Sequence, residues 1–158
     1  MPPVRNQGQC GVVPYAAVGA IDCFHAIETG NLVLGSEEEV FDCCLDCQCD
    51  GGLFDNVYKC IVDIGGLASE EEYHSPDCKC LNNTFKPQIK IHGGKNILPA
   101  RNETVLAYAV AMQPVAAAID ASQPSFQLYQ SGIYDDPNCS STELDHRVLI
   151  VGYGSENG

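Results

Sequence analysis

The chain has 158 residues, 45% of them hydrophobic, which is enough for one real core or two small ones. No apolar run approaches the eighteen or so residues that cross a bilayer. Eight basic against 21 acidic side chains leave a net charge of −13, which repels nucleic acid and anionic membranes and excludes both as partner classes. Much of the charge lies in the Glu triplets at 37–39 and 70–72, runs expected to be solvated faces. Met1-Pro2-Pro3 has neither the basic stretch nor the apolar core of a secretion signal. Either a signal has been removed or the chain is an excised piece of a longer protein, and the second is the expectation.

In chain order, the first element predicted is a helix from Pro14, with Val18, Ile21, Phe24 and His25 on one face and Gly30 as its stop. Ser36 and Glu39 form a capping box that opens a short helix through Val40 and Phe41. A third helix carries Phe54, Val57, Tyr58 and Ile61 and ends at Gly65-Gly66. A fourth starts at Asn102 and carries Val105, Tyr108, Ala109 and Met112. Beyond Pro114 the runs "VAAAID", "FQLYQSGIY" and "RVLIVGYG" read as strands. The pattern is α+β, with a helical part over 1–85 and a β part over 86–158.

Ten cysteines point to an oxidising compartment. So do three glycosylation sequons, at Asn82, Asn102 and Asn138. Zinc is the competing reading of Cys44-x-x-Cys47 and Cys78-x-Cys80, but finger sites present two well-spaced ligand pairs, and no metal is expected.

The blocks "PVRNQGQCG", "AVGAIDCFHAIETGNLVLGSEEEVFDC", "CDGGLFDNVY", "GGLASEEEY", "AIDASQPSFQLYQSGIY" and "STELDHRVLIVGYG" span nearly the whole chain. In order and spacing they resemble the papain family of cysteine peptidases, most closely its cathepsin L branch. The resemblance implies a helical left domain and an antiparallel β-barrel right domain, here incomplete, with a cleft between them. In that family a cysteine at the N-terminus of the central helix is held as thiolate by the helix dipole and a nearby imidazolium. The thiolate attacks a peptide carbonyl, a glutamine and a backbone N–H hold the oxyanion, and the histidine protonates the departing amine. No cofactor is implied. The implied partners are peptide substrates, cystatin-type inhibitors and a propeptide; the implied location is lysosomal or extracellular.

By this resemblance Gln7 matches the oxyanion-hole glutamine and His146 the catalytic histidine, with Gly51 and Gly52 as substrate-backbone contacts and Leu53, Phe54 and Ala121 as apolar lining. Val13 and His146 are separated by about 130 residues, inside the roughly 130–150 of the family signature. The departures are sharper. Where that signature has C-G-[SA]-C-[WY], the chain has Cys10-Gly11-Val12-Val13-Pro14-Tyr15 and is one residue short, so either Val12 or Val13 takes the nucleophile's place. An aliphatic side chain has no lone pair to offer. Pro14 suits the first helical turn, so the helix is expected to persist without the chemistry. The sequence ends at Gly158, before the motif that carries the family's histidine-orienting asparagine, so His146 is expected to have no third partner within this chain. Arg147 replaces a small residue at the specificity pocket and is expected either to narrow the pocket or to pair with Asp145.

The same resemblance pairs Cys10 with Cys49 and Cys43 with Cys78, leaves Cys139 without its partner, and makes Cys23, Cys44, Cys47, Cys60 and Cys80 extra, with Cys23 and Cys60 as buried thiols. Missing barrel strands would leave open edges. Three functions follow: an inactive homologue that binds peptides, propeptide or inhibitor; an active endopeptidase represented by a damaged or partial sequence; and a secreted structural or storage protein using only the scaffold.

Overall fold

The computed structural model describes residues 1–7, 12–48 and 52–155, and of Val12 only the backbone. Helix α1 (Val12–Thr29) runs through the centre. It ends where Gly30 takes φ 75° and returns its N–H to the Ala26 carbonyl at 2.9 Å. Its buried stripe is Val13, Ala17, Val18 and Ile21, whereas Phe24 of the predicted face is 39% exposed and His25 only half-buried. The stripe turns because small residues on another side admit the sheet. An added Cβ at Gly19 would sit 3.2 Å from the Leu149 side chain.

Helix α2 (Glu37–Cys44) starts at Ser36, whose hydroxyl accepts the Glu39 N–H at 3.0 Å. The other half of the capping box is not made. The Glu39 carboxylate accepts the Ala68 N–H at 2.7 Å, and the Ser36 N–H donates to the Ala68 carbonyl at 3.0 Å, because a bridge between Gly35 and Ser69 brings that segment alongside. The first Glu triplet is correspondingly no solvated face: Glu37 and Glu39 are buried, while Glu70–Glu72 stay exposed.

Helix α3 (Phe54–Asp63) buries Val57 and Ile61 and ends in Gly65 and Gly66 at φ 91° and 126°. A side chain at Gly66 would collide with the Ile89 carbonyl, since Leu67 and Ile89 form a bridge there. Val13, Ala17, Val18, Ile21, Val40, Val57, Ile61, Leu67 and Ile89 make one core, each large member contributing about 1.5–3 kcal/mol. Ile89 therefore packs with the helices.

Helix α4 (Glu103–Met112) is capped by Asn102, whose side-chain oxygen accepts the Val105 N–H at 3.1 Å. It buries Val110 and leaves Tyr108 and Met112 in solvent, opposite to the expected face; "VLAYAVAM" is apolar on every side, so its spacing selects none. Strands β1 (Val115–Ile119) and β2 (His146–Ile150) pair antiparallel, from Val115 opposite Ile150 to Ile119 opposite His146. These are the strands of "VAAAID" and "RVLIVGYG". "FQLYQSGIY" is not a strand. Pro124 opens the short helix α5 (Pro124–Gln127), and the chain then folds back so that Phe126 and Tyr134 meet edge to face at 5.3 Å. The architecture is α+β, with an incomplete sheet among the described residues.

Among the described residues three disulfides staple the helical half: Cys43–Cys80, Cys44–Cys60 and Cys47–Cys78, with Cα–Cα distances of 4.6, 5.6 and 6.0 Å. The expected Cys43–Cys78 bond is thereby corrected, and Cys60 is no free thiol. Successive helical positions diverge by about 100°, so Cys43 faces the 78–80 segment while Cys44 faces α3. Cys47 then reaches Cys78, both in left-handed backbone at φ 61° and 54°. All four sulfurs of the zinc alternative are consumed in these bonds. Cys23 is free and buried, Cys139 free and half-buried. The Cys10–Cys49 pairing lies outside the described residues.

Candidate active-site cleft

A cleft of about 340 Å³ lies between the N-terminal segment, the first half of α1 and strand β2; Gln7, Tyr15, His146 and Arg147 line it. Its two walls are fixed in different ways.

Arg5 secures the N-terminal wall, two residues before Gln7. Its guanidinium pairs with Asp22 at 3.3 Å, with Glu37, and with Glu70 at 3.4 Å, and it donates to the Gly35 carbonyl at 3.3 Å. Asp22 also accepts the Gly35 N–H at 2.9 Å. One cation among three carboxylates is an unbalanced set. Burial pushes Asp22 up to about 6 and Glu37 up to about 7, against the pull of Arg5. Tyr15, on α1, adds a hydrogen bond to the Asn6 carbonyl at 3.4 Å. The Glu triplets at 37–39 and 70–72, the lone acid inside "AVGAIDC" and the arginine of "PVRNQGQCG" are the parts of this clamp in the sequence, and nothing in their spacing joins them.

His146 is the first residue of β2, opposite Ile119. Asp145, just before it, donates its N–H to the Ile119 carbonyl at 3.1 Å and accepts the Ala121 N–H on its carboxylate at 2.7 Å. Of the two alternatives expected for Arg147, pairing with Asp145 is not formed: Arg147 Nη1 donates to the carbonyls of Leu144 and His146 at 3.3 and 3.4 Å. The buried Asp120 carboxylate gathers the Ser122 N–H at 2.9 Å, the Ser122 hydroxyl at 2.6 Å, the Gln123 amide at 3.2 Å and the Ser140 N–H at 2.8 Å. These bonds hold its carboxyl well below the usual range, the Ser122 hydroxyl contributing most.

The cleft thus brings together Gln7, His146 and Arg147. Other expected contacts lie elsewhere. Gly51 falls outside the described residues. Half-buried Gly52 leaves an added Cβ 3.3 Å from the Leu45 side chain. Leu53 is 66% exposed, and Phe54 packs on the helical core and stacks with Tyr58 at 6.4 Å. Ala121 is buried, its carbonyl accepting from the Gln127 amide at 2.6 Å. Among the described residues neither free cysteine, Cys23 or Cys139, lines the cleft. Val13, in the first turn of α1, is 1% exposed within the helical core.

Comparison with known proteins gives this geometry its context. The family model described as papain family cysteine protease matches residues 1–158. Among curated relatives, cysteine proteinase 3 of Dictyostelium discoideum is 39% identical, over 99% of this chain and 48% of that protein. Procathepsin L of Rattus norvegicus is 40% identical, over 98% and 48%. The chain spans about half the length of the curated relatives it matches. Among solved structures, the bromelain protease of Ananas comosus, determined with the inhibitor E64, superposes with a TM-score of 0.87 at 33% identity, over 99% of this chain and 72% of that one. The chain belongs to the papain family of cysteine proteases and is similar to its cathepsin L branch.

Proposed function

We propose that this chain is a proteolytically inactive papain-family homologue whose cleft binds peptides, a propeptide or a cystatin-type inhibitor without cutting them. One observation carries the reading: Gln7 and His146 line a single cleft beside a helix that opens with two valines, and among the described residues no free thiol lines that cleft. Gln7 would bind a peptide carbonyl and His146 a polar group nearby, while the position of the attacking atom is held by Val12 or Val13. Gly51, Gly52, Leu53, Phe54 and Ala121 remain proposed contacts for a longer peptide. The three disulfides support an oxidising location, lysosomal or extracellular.

A second reading, cysteine endopeptidase activity represented by a damaged or partial sequence, draws on the relatives, which are proteinases by name. Hydrolysis of a fluorogenic dipeptide with a bulky apolar residue, measured from pH 4 to 8, separates the two. No turnover is expected. Turnover abolished by a thiol alkylator would establish the second.

A further inference from the structure

Arg147 is a half-buried cation on the cleft wall, directly after His146. Its two hydrogen bonds go to backbone carbonyls through Nη1, and among the described residues no carboxylate pairs with it. A guanidinium has five N–H donors in a planar fork, so Nε and Nη2 are left to offer. The nearest acid in sequence, Asp145, is committed to the Ala121 N–H. Across the sheet stands Ala118, too short and too apolar to serve as a partner. A second cation on the cleft wall, Arg5, is committed to Asp22, Glu37 and Glu70, and Glu37, on the same wall, shares that one guanidinium with the other two acids.

We propose that the cleft's preferred ligand is a peptide carrying a glutamate or aspartate side chain, received by the free edge of the Arg147 guanidinium; this rests on the peptide-binding reading above. A carboxylate matches the fork geometrically and compensates a partly desolvated cation, which a neutral side chain cannot do. The net charge of −13 repels anions at long range. Selectivity is therefore made in contact, at separations shorter than the screening length of about 8 Å at physiological ionic strength.

The test uses the whole oxidised chain and acetylated, amidated tetrapeptides on an Ala-Phe-Ala-Ala frame, in which each position in turn carries Glu or its uncharged isostere Gln. Titration calorimetry at 0.15 M salt reads each affinity. In one register the Glu peptide is expected to bind about tenfold more tightly than its Gln twin. R147Q removes that difference, and R147K, which keeps the charge without the fork, retains part of it. Equal binding of Glu and Gln peptides in every register overturns the proposal and leaves the cleft reading standing, as does a preference that survives R147Q. If no peptide binds, the cleft reading falls and takes the proposal with it.

Discussion

Arg5 and Asp22 meet at 3.3 Å across 17 positions of sequence, joining the N-terminal segment that carries Gln7 to the middle of the central helix. Asp22 is fully buried, Arg5 is half-buried with its side chain 14% exposed, and Glu37 shares the same guanidinium. Removing the cation strands two buried carboxylates. R5A is expected to destabilise the chain by about 3–5 kcal/mol in urea denaturation, with R5K recovering part of the loss. A loss below about 1 kcal/mol would show that the clamp holds nothing.

The same cluster sets a pH dependence. Asp22 and Glu37 have folded-state values raised to about 6 and about 7 from ordinary values of 3.8 and 4.5. The folded chain then binds more protons than the unfolded chain between about pH 4 and 7, so this contribution is complete below pH 4 and is lost as pH rises to 7. Asp120 acts in the opposite sense: its lowered carboxyl stabilises above the ordinary aspartate value and fails as pH falls. Stability is expected to peak near pH 4–5 and decline toward neutrality, with D22N flattening the decline. Thermal melts across pH 3–8 check this, and a maximum at pH 7 would contradict it.

Cys43 and Cys44 point to different partners, Cys80 and Cys60. Non-reducing digestion and mass spectrometry are expected to recover these two linkages together with Cys47–Cys78. C60S should expose the Cys44 thiol to alkylation and cost about 2–4 kcal/mol. A recovered Cys43–Cys78 peptide would restore the pairing implied by family resemblance.

The three sequons differ in surroundings. Asn102 is exposed and uses its side-chain oxygen as the α4 cap, so a glycan on its nitrogen is compatible with the cap. Asn138 commits its amide nitrogen to Asp136 at 2.9 Å, and Asn82 is half-buried. Secreted from a glycosylating host, the chain is expected to carry its main glycan at Asn102. T104A should abolish the corresponding mass while leaving the cap intact. An unchanged mass would place the glycan elsewhere.

Helices α1 and α3 were legible because positive-φ glycines, Gly30 and Gly65-Gly66, mark their ends, and α2 because Ser36 marks its start; apolar spacing marked the Val57 and Ile61 face of α3 but only part of the α1 face, where Phe24 is exposed. What escaped was set by tertiary contact. The face of α4 could not be read from a segment apolar all round. Pro124 and the packing of Phe126 on Tyr134 overrode the strand-like composition of residues 126–134. Glu39 abandoned its capping role for a backbone N–H from another segment. Gln7 and His146 were identifiable only from the motifs around them, and each alone resembles an ordinary loop or strand residue. The Arg5 clamp draws on four separate segments, an arrangement that periodicity cannot register.

The most direct test of a cleft that binds without cutting is calorimetric titration of the purified, oxidised chain with a cystatin-type inhibitor, with dipeptide turnover followed on the same preparation. Saturable binding with no turnover is the predicted result. No binding would contradict the retained cleft, and turnover blocked by a thiol alkylator would contradict the loss of the nucleophile.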